Sequence, residues 1–440
     1  MQKKEYGLFT AITLIIGTVI GSGIFFKSDN ILVFTGGDVL KGVIIFTIAA
    51  IGIVFGSLTI AVLASKTKNP GGVITYADEF INKKTSCAFG WFQTFIYFPA
   101  ISSVIAWVCA VYLCMFLGIE STNTSLFIIS IIVLVFIYIL NVFSANIGGH
   151  FQNVATIVKL IPLFLIAIIG MLRTGETQIF YESANTTSNS LFWISAVGPI
   201  AFSYDGWVVA TSVAHEIKNS ERNLPIALIV APVFILIIYI MYFVGICAIV
   251  GPENIMAYGD AHVNVAAQKI FGNYGAKIIL GFVVISVLGT LNGFTLAYIR
   301  LPYSLSIRGM FPSSEKISKI DDKTKMPINS AVTTFTISMI WFIVNYIVMS
   351  KEFIPNSDIS ETPIVIGYAL YIVLYVTVIR MHLKEKNIGF IRGIIVPILA
   401  IIGSLIVIFG GISNPMTIFY VVLCVIIIFA SVKFMKSVKE

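Results

Sequence analysis

Twelve long apolar runs, each bounded by charged or turn residues, constrain this chain more than any other feature. They extend from Leu8 to Phe34, Gly42 to Ala64, Ala88 to Leu117, Leu126 to Ser144, Phe151 to Leu172, Leu191 to Ala214, Pro225 to Val250, Ala276 to Ile307, Ile328 to Val348, Pro363 to Met381, Ile391 to Phe409 and Met416 to Met435. A helix needs about 20 apolar residues to cross a hydrocarbon core of about 30 Å, and in lipid it must satisfy its own backbone. The runs therefore predict an all-α membrane protein with 12 transmembrane helices. With 58% hydrophobic and 11% charged residues, and a mean hydropathy of +0.97, the chain has too few charges to cover a water-soluble globule. A soluble enzyme, a disordered scaffold and a secreted disulfide module are excluded.

The net charge of +7 is a matter of placement. With the N-terminus inside, six short inner segments hold 21 of the 28 Lys and Arg residues, and the outer segments hold only Lys41, Arg173, Lys269, Lys277 and Lys351. Lys27 and Lys159 fall within spans. Basic residues spread over cytoplasmic loops are a topology signal, so the excess predicts a multi-pass cell-membrane protein with both termini cytoplasmic, and nucleic-acid binding loses its support. The apolar run after Met1–Gly7 lacks a signal-peptidase site and is read as a retained first helix. The five cysteines form no CxxC and no Cys/His cluster, so neither a disulfide framework nor a metal site is expected.

Two spans carry interruptions. The first contains Gly17-Thr18-Val19-Ile20-Gly21-Ser22-Gly23-Ile24-Phe25. Its glycines are compatible with close helix packing through Gly17 and Gly21, or with a discontinuous helix whose second half starts at the amides of Ser22, Gly23 and Ile24. The sixth span contains Phe202-Ser203-Tyr204-Asp205-Gly206-Trp207, with Pro199 just before it. An aspartate at mid-membrane costs about 2.5–3.5 kcal/mol even on lenient scales, which favours a broken helix beside a substrate cavity. The alternatives for Asp205 are a partner for a buried base or a cap on the following half-helix.

Interruptions five spans apart match two five-helix repeats of opposite orientation, over residues 1–175 and 190–385, with helices 11 and 12 in 386–440. A further charge, Lys159, lies among apolar residues of the fifth span. It either snorkels to the surface or faces the bundle and donates to carbonyls freed by a broken helix.

The motifs GTVIGSGIF (Gly17–Phe25), PGGVITY (Pro70–Tyr76), FSYDGW (Phe202–Trp207) with HEIKNSERNLP (His215–Pro225), and GTLNG (Gly289–Gly293) followed by Tyr303, Arg308, Gly309 and Pro312 occur in this order along the chain. Together with the spans they resemble the amino acid/polyamine/organocation superfamily, and within it the L-amino acid transporter group with its bacterial serine/threonine and alanine/serine/cysteine exchangers. The resemblance implies a LeuT-type 5+5 inverted repeat with broken helices 1 and 6. It implies that the substrate carboxylate rests on the amides of Ser22, Gly23 and Ile24, with Gly21 completing the cradle. The ammonium group would be held by carbonyls at Thr18, Val19, Phe202, Ser203 and Asp205, with Phe202 also closing as a gate. Lys159 resembles a tethered cation where sodium-coupled relatives bind an ion, which implies sodium-independent exchange of small neutral L-amino acids without a cofactor.

Two departures qualify that expectation. Many animal neutral-amino-acid members have glycine where this chain has Asp205, so a proton-coupled symporter, or an exchanger that also accepts cationic amino acids, is the alternative. The outer segment from Gly118 to Ser125 lacks the cysteine by which animal members of the group it resembles join a heavy subunit, so no disulfide-linked heavy subunit is expected. A channel would need rings of charge that the spans lack. An enzyme would need a nucleophile and base that His150, His215, His262 and His382 do not supply, and Ser22 between glycines follows no strand.

Overall fold

A computed structural model describes residues 7–143 apart from 68 and 70, then 151, 154–173, 191–208, 217–353 apart from 325, and 358–437 apart from 386, 387, 413 and 415. The first apolar run folds as α1 (Leu8–Val19), a break, α2 (Gly23–Phe26) and α3 (Ser28–Thr35). Then come α4 (Val39–Lys66), a short helix α5 (Val73–Phe80) between the second and third apolar runs, α6 (Lys83–Phe92) and α7 (Phe98–Leu117). The chain continues through α8 (Asn123–Phe143), α9 (Leu160–Arg173), α10 (Val197–Ser203), α11 (Ser220–Val250), α12 (Pro252–Tyr258) and α13 (His262–Ser306). It ends with α14 (Ser314–Ile317), α15 (Ile328–Ser350), α16 (Glu361–Glu385), α17 (Val396–Gly411) and α18 (Thr417–Ser437).

Among the described residues, 11 helices are long and apolar enough to cross a membrane. The expected sixth span appears instead as the short apolar helix Trp193–Ser203 and a turn through Val208. Its remainder lies outside the described residues, as do His150, His215 and Pro70. The helix α5 was not expected from sequence, because its eight residues are too few for a span.

Helix ends follow local chemistry. Asp38 caps α4 by accepting from Lys41 N at 3.0 Å, and Asn82 caps α6 by accepting from Thr85 N at 2.9 Å. Between α6 and α7 the backbone widens into a π turn over Gln93–Tyr97, two residues before Pro99. Proline has no N–H for the carbonyl four residues back, and that carbonyl, Phe95 O, accepts from Trp341 Nε1 at 2.7 Å instead. The same device, a π turn over Ile391–Ile395 before Pro397, opens α17.

Lipid tails are as apolar as leucine, so helices meet where side chains are smallest. A methyl group on Gly170 of α9 would lie 2.3 Å from Gly245 Cα of α11, and one on Gly52 of α4 would lie 3.2 Å from Gly403 Cα of α17. Large apolar side chains such as Ile132, Phe136, Val425 and Phe429 face outward on α8 and α18, as a lipid-facing belt requires.

Candidate functional site

Both interruptions are breaks, and they interlock. The first helix stops at Val19; Ile20 is extended (φ −67°, ψ 104°), and the chain turns through Gly21 and Ser22 before α2 begins. Among the described residues the amides of Gly21, Ser22, Gly23 and Ile24 have no backbone acceptor, as the start of a helix dictates. On the other side, α10 ends at Ser203, and a turn carries Tyr204 to Val208 with Gly206 at φ 96°. A methyl group on Gly206 would lie 3.1 Å from Thr18 O, and one on Gly23 would lie 2.7 Å from Ser203 Cα. Each break therefore holds a glycine against the backbone of the other, and Gly206 is also in a conformation that side chains disfavour.

A single hydroxyl ties the two ends together. Tyr239 Oη on α11 lies 2.9 Å from Ser203 O and 3.3 Å from Val19 O, the terminal carbonyls of α10 and α1. Beside it, Lys159 is 1% exposed and its Nζ donates to Gly17 O. Gly21 N would be the helical donor to that carbonyl, but the break has turned it away. Thr156, one turn from Lys159, packs on Gly17, where a methyl group would lie 2.9 Å from its Cγ2. Lys159 thus sits inside the bundle and does not reach a surface.

Thr18, Val19, Gly21, Ser22, Gly23, Phe202 and Asp205 line one cavity of about 10 Å³, room for about one water molecule. Ile24, Ser203 and Lys159 do not line it: Ile24 is packed in the core, Ser203 contributes through its carbonyl to Tyr239, and Lys159 acts one layer behind. Ser22 Oγ is buried without a hydrogen-bond partner among the described residues. Asp205 accepts from the hydroxyl of Tyr97, the last residue of the π turn before α7. Four lining residues were not singled out from sequence, Ile101 and Ile105 of α7 and Thr290 and Phe294 of α13. Thr290 lies in the GTLNG motif, and a methyl group on Gly21 would meet its side chain at 2.9 Å.

Above the cavity the Phe26 ring packs edge-on against Phe202, with centroids 5.3 Å apart. Lys27, 1% exposed, is bonded to Asp358 Oδ2 at 2.7 Å and Glu361 Oε1 at 2.5 Å, and its Nζ lies 5.3 Å from the Phe26 centroid and 5.4 Å from that of Phe202. Among the described residues no group of His, Cys, Asp and Glu side chains is arranged to hold a metal.

A bundle with two apposed helix breaks at mid-membrane and a small polar cavity between them has the build of a transporter. Comparison with known families decides which: the family described as amino acid permease matches residues 6–435. The chain belongs to the amino acid permease family. Among its relatives, the serine/threonine exchanger SteT of Bacillus subtilis (strain 168) is 29% identical over 407 residues, covering 91% of this permease and 90% of the relative. The human cystine/glutamate transporter is 26% identical over 77% of this permease and 68% of its own length. The mouse b(0,+)-type amino acid transporter 1 is 26% identical over 68% of this permease and 62% of its own length. The permease is accordingly a multi-pass membrane transporter and not an enzyme.

Proposed function

We propose that this permease is a sodium-independent exchanger of small neutral L-amino acids, of the alanine/serine type, that works by alternating access. The observation that carries the reading is the pair of apposed breaks around one cavity, with a buried lysine bonded to the first. A zwitterion stripped of water needs donors at one end and acceptors at the other. The amides of Ser22, Gly23 and Ile24, with Gly21 beside them, would take the carboxylate. Carbonyls at Thr18, Val19, Phe202, Ser203 and Asp205 would take the ammonium group, and Tyr239 would yield part of its hold on Val19 O and Ser203 O as substrate enters. Ile101, Ile105 and Phe294 leave an apolar space for the side chain, in keeping with alanine or serine. Lys159 supplies a fixed positive charge to the break, so no sodium ion is required there.

In this reading the chain has 12 spans, with residues 1–175 and 190–385 as inverted five-helix repeats, 386–440 as the last two helices, and both termini on the cytoplasmic side of the cell membrane. The likeness to the serine/threonine exchanger SteT supports the exchange assignment. No disulfide-linked heavy subunit is needed. The test is uptake of labelled L-serine or L-alanine by purified protein in liposomes. Uptake is expected only when unlabelled amino acid is preloaded and should not change when sodium is replaced by choline; equal uptake into vesicles without internal amino acid would refute exchange.

A second reading rests on Asp205, a carboxylate lining the cavity. It would admit cationic amino acids or couple transport to protons. Loss of arginine uptake alone in Asp205→Gly, or serine uptake driven by a pH gradient, would favour it.

A further inference from the structure

A larger space lies on the far side of the Phe26–Phe202 pair. It has a volume of about 380 Å³, within the range of about 300–1,000 Å³ typical of small-molecule sites, with Phe26 in its wall. One stripe of α7 serves both spaces: Ile101 and Ile105 line the central cavity, and Val104 and Val108 line this vestibule. The two chambers are therefore successive stations on one path, separated by a single aromatic layer. The loop and helix ends around the vestibule are those the lysine and arginine tally places outside.

Its polar lining is one-sided. Asp29 at the start of α3, Asp260 after α12, Glu352 after α15 and Asp358 before α16 all contribute to it. Lys27 bonds to Asp358, but among the described residues Asp29, Asp260 and Glu352 have no ion-pair partner. Asp29 is 8% exposed; its Oδ2 accepts from Asn30 Nδ2 at 3.4 Å and would lie 3.7 Å from a methyl group on Gly259, the residue before Asp260, while its Oδ1 has no hydrogen-bond partner among the described residues. An independent feature is Asn345 of α15. It lines the same vestibule, is 1% exposed, and neither its Oδ1 nor its Nδ2 has a partner among the described residues. A buried amide with both ends unmatched costs about 1–3 kcal/mol for each unsatisfied group unless something else bonds it. Asn30 also lines it, and the apolar part of the wall is formed by Phe26, Val104, Trp107, Val108, Val348 and Met349.

We propose that this vestibule is a second, outer binding site for an amino acid, with Asp29 and Asp260 holding its ammonium group and Asn345 its carboxylate. The inference rests on the membrane orientation and substrate class proposed above. Carboxylates in a concave, low-dielectric wall concentrate cations and orient dipoles. A zwitterion arriving here is turned ammonium-first toward Asp29, its side chain against Trp107 and Met349. The Asn345 amide suits the role because it donates and accepts, and so serves a carboxylate without repelling the ammonium group. A bare inorganic cation would use the aspartates and leave both the amide and the apolar wall unengaged.

The test uses full-length protein carrying Met349→Cys, with Glu352→Cys in the same lining as a second reporter should the first misfold. The five native cysteines are buried, so a water-soluble thiol reagent addresses the introduced one. L-Alanine is expected to slow alkylation at least fivefold. L-Lactate, which has a hydroxyl in place of the ammonium group, and sodium chloride at equal concentration should not. Adding Asp29→Asn with Asp260→Asn should abolish the protection and raise the KM for exchange about fivefold at the outer face but not at the inner face. Protection given equally by lactate or sodium, or protection that survives the double substitution and so arises at the central cavity, would overturn the proposal. Exchange without protection refutes the vestibule alone, whereas protection without exchange refutes the function proposed above and leaves the vestibule standing.

Discussion

Removing Lys27 should harm the protein far more than removing either of its acidic partners. The ammonium lies 2.7 Å from Asp358 and 2.5 Å from Glu361, with all three side chains buried, so the cluster holds one positive and two negative charges. Lys27→Met leaves two carboxylates facing each other without a counter-charge, and breaking a buried pair in this way costs about 3–5 kcal/mol. Glu361→Gln leaves Lys27 and Asp358 as a neutral pair and keeps the shape of the side chain, so it should cost about 1.5–3 kcal/mol, the loss of one charge-assisted bond. Asp358→Asn falls between them, because Asp358 Oδ1 also accepts from Ser360 N at 2.8 Å and from the Ser360 hydroxyl, which hold the turn before α16. The triple substitution Lys27→Met, Asp358→Asn, Glu361→Gln removes every charge and should recover most of the loss, since well-packed neutral groups often replace a buried ionic cluster without penalty. The assay is the temperature at which half of the detergent-purified protein loses its monodisperse elution after brief heating. The expected order, most to least stable, is wild type, Glu361→Gln, Asp358→Asn, Lys27→Met, with the triple variant above Lys27→Met. A Lys27→Met protein as stable as Glu361→Gln, or a triple variant less stable than Lys27→Met, would refute the reasoning.

Other outcomes follow from the breaks. Lys159→Ala should lose exchange by tenfold or more while the protein still inserts and elutes as a single species; unchanged uptake in liposomes would mean that the bond to Gly17 O carries no function. Gly206→Ala forces a side chain into φ 96° and against Thr18 O at 3.1 Å, a strain of about 1–3 kcal/mol, and uptake should fall even where expression holds. Tyr239→Phe leaves Ser203 O and Val19 O without their shared donor and should cost about 1–3 kcal/mol in thermal stability, read by the same heating assay.

The charged residues of the site were legible in the sequence because lipid makes them conspicuous. Asp205 and Lys159 stand out in apolar runs for the same physical reason that they must be partnered inside the bundle. Lys159 bonds a carbonyl at the break, as one of its two sequence alternatives has it, but the hydroxyls that serve Asp205 and the helix ends were not legible. Tyr97 and Tyr239 are aromatic residues in apolar helices, and nothing in a single sequence separates a tyrosine whose hydroxyl serves Asp205 or Ser203 from one that fills the core. Ile101, Ile105 and Phe294 are harder still, since a cavity wall and a packed interior call for the same residue types.

The most instructive miss is Glu361. Sequence placed the start of the tenth apolar run at Pro363, after the charged Glu361, which left Asp358 and Glu361 outside the span. In the structure α16 begins at Glu361, and Pro363 occupies its first turn, where a missing N–H removes no helical bond. That shift of two residues brings Glu361 against Gly198 of α10, where a methyl group would lie 3.3 Å from Glu361 Oε2, and within reach of Lys27 just after the first break. The ion cluster therefore joins three elements, the second half of span 1, α10 and α16, at the layer where Phe26 meets Phe202. Any motion that admits an amino acid from the vestibule must separate Phe26 from Phe202, and the cluster lies against both rings. Opening then strains or breaks bonds to a buried lysine, which makes the closed arrangement the favoured one until a zwitterion supplies compensating bonds at the two breaks.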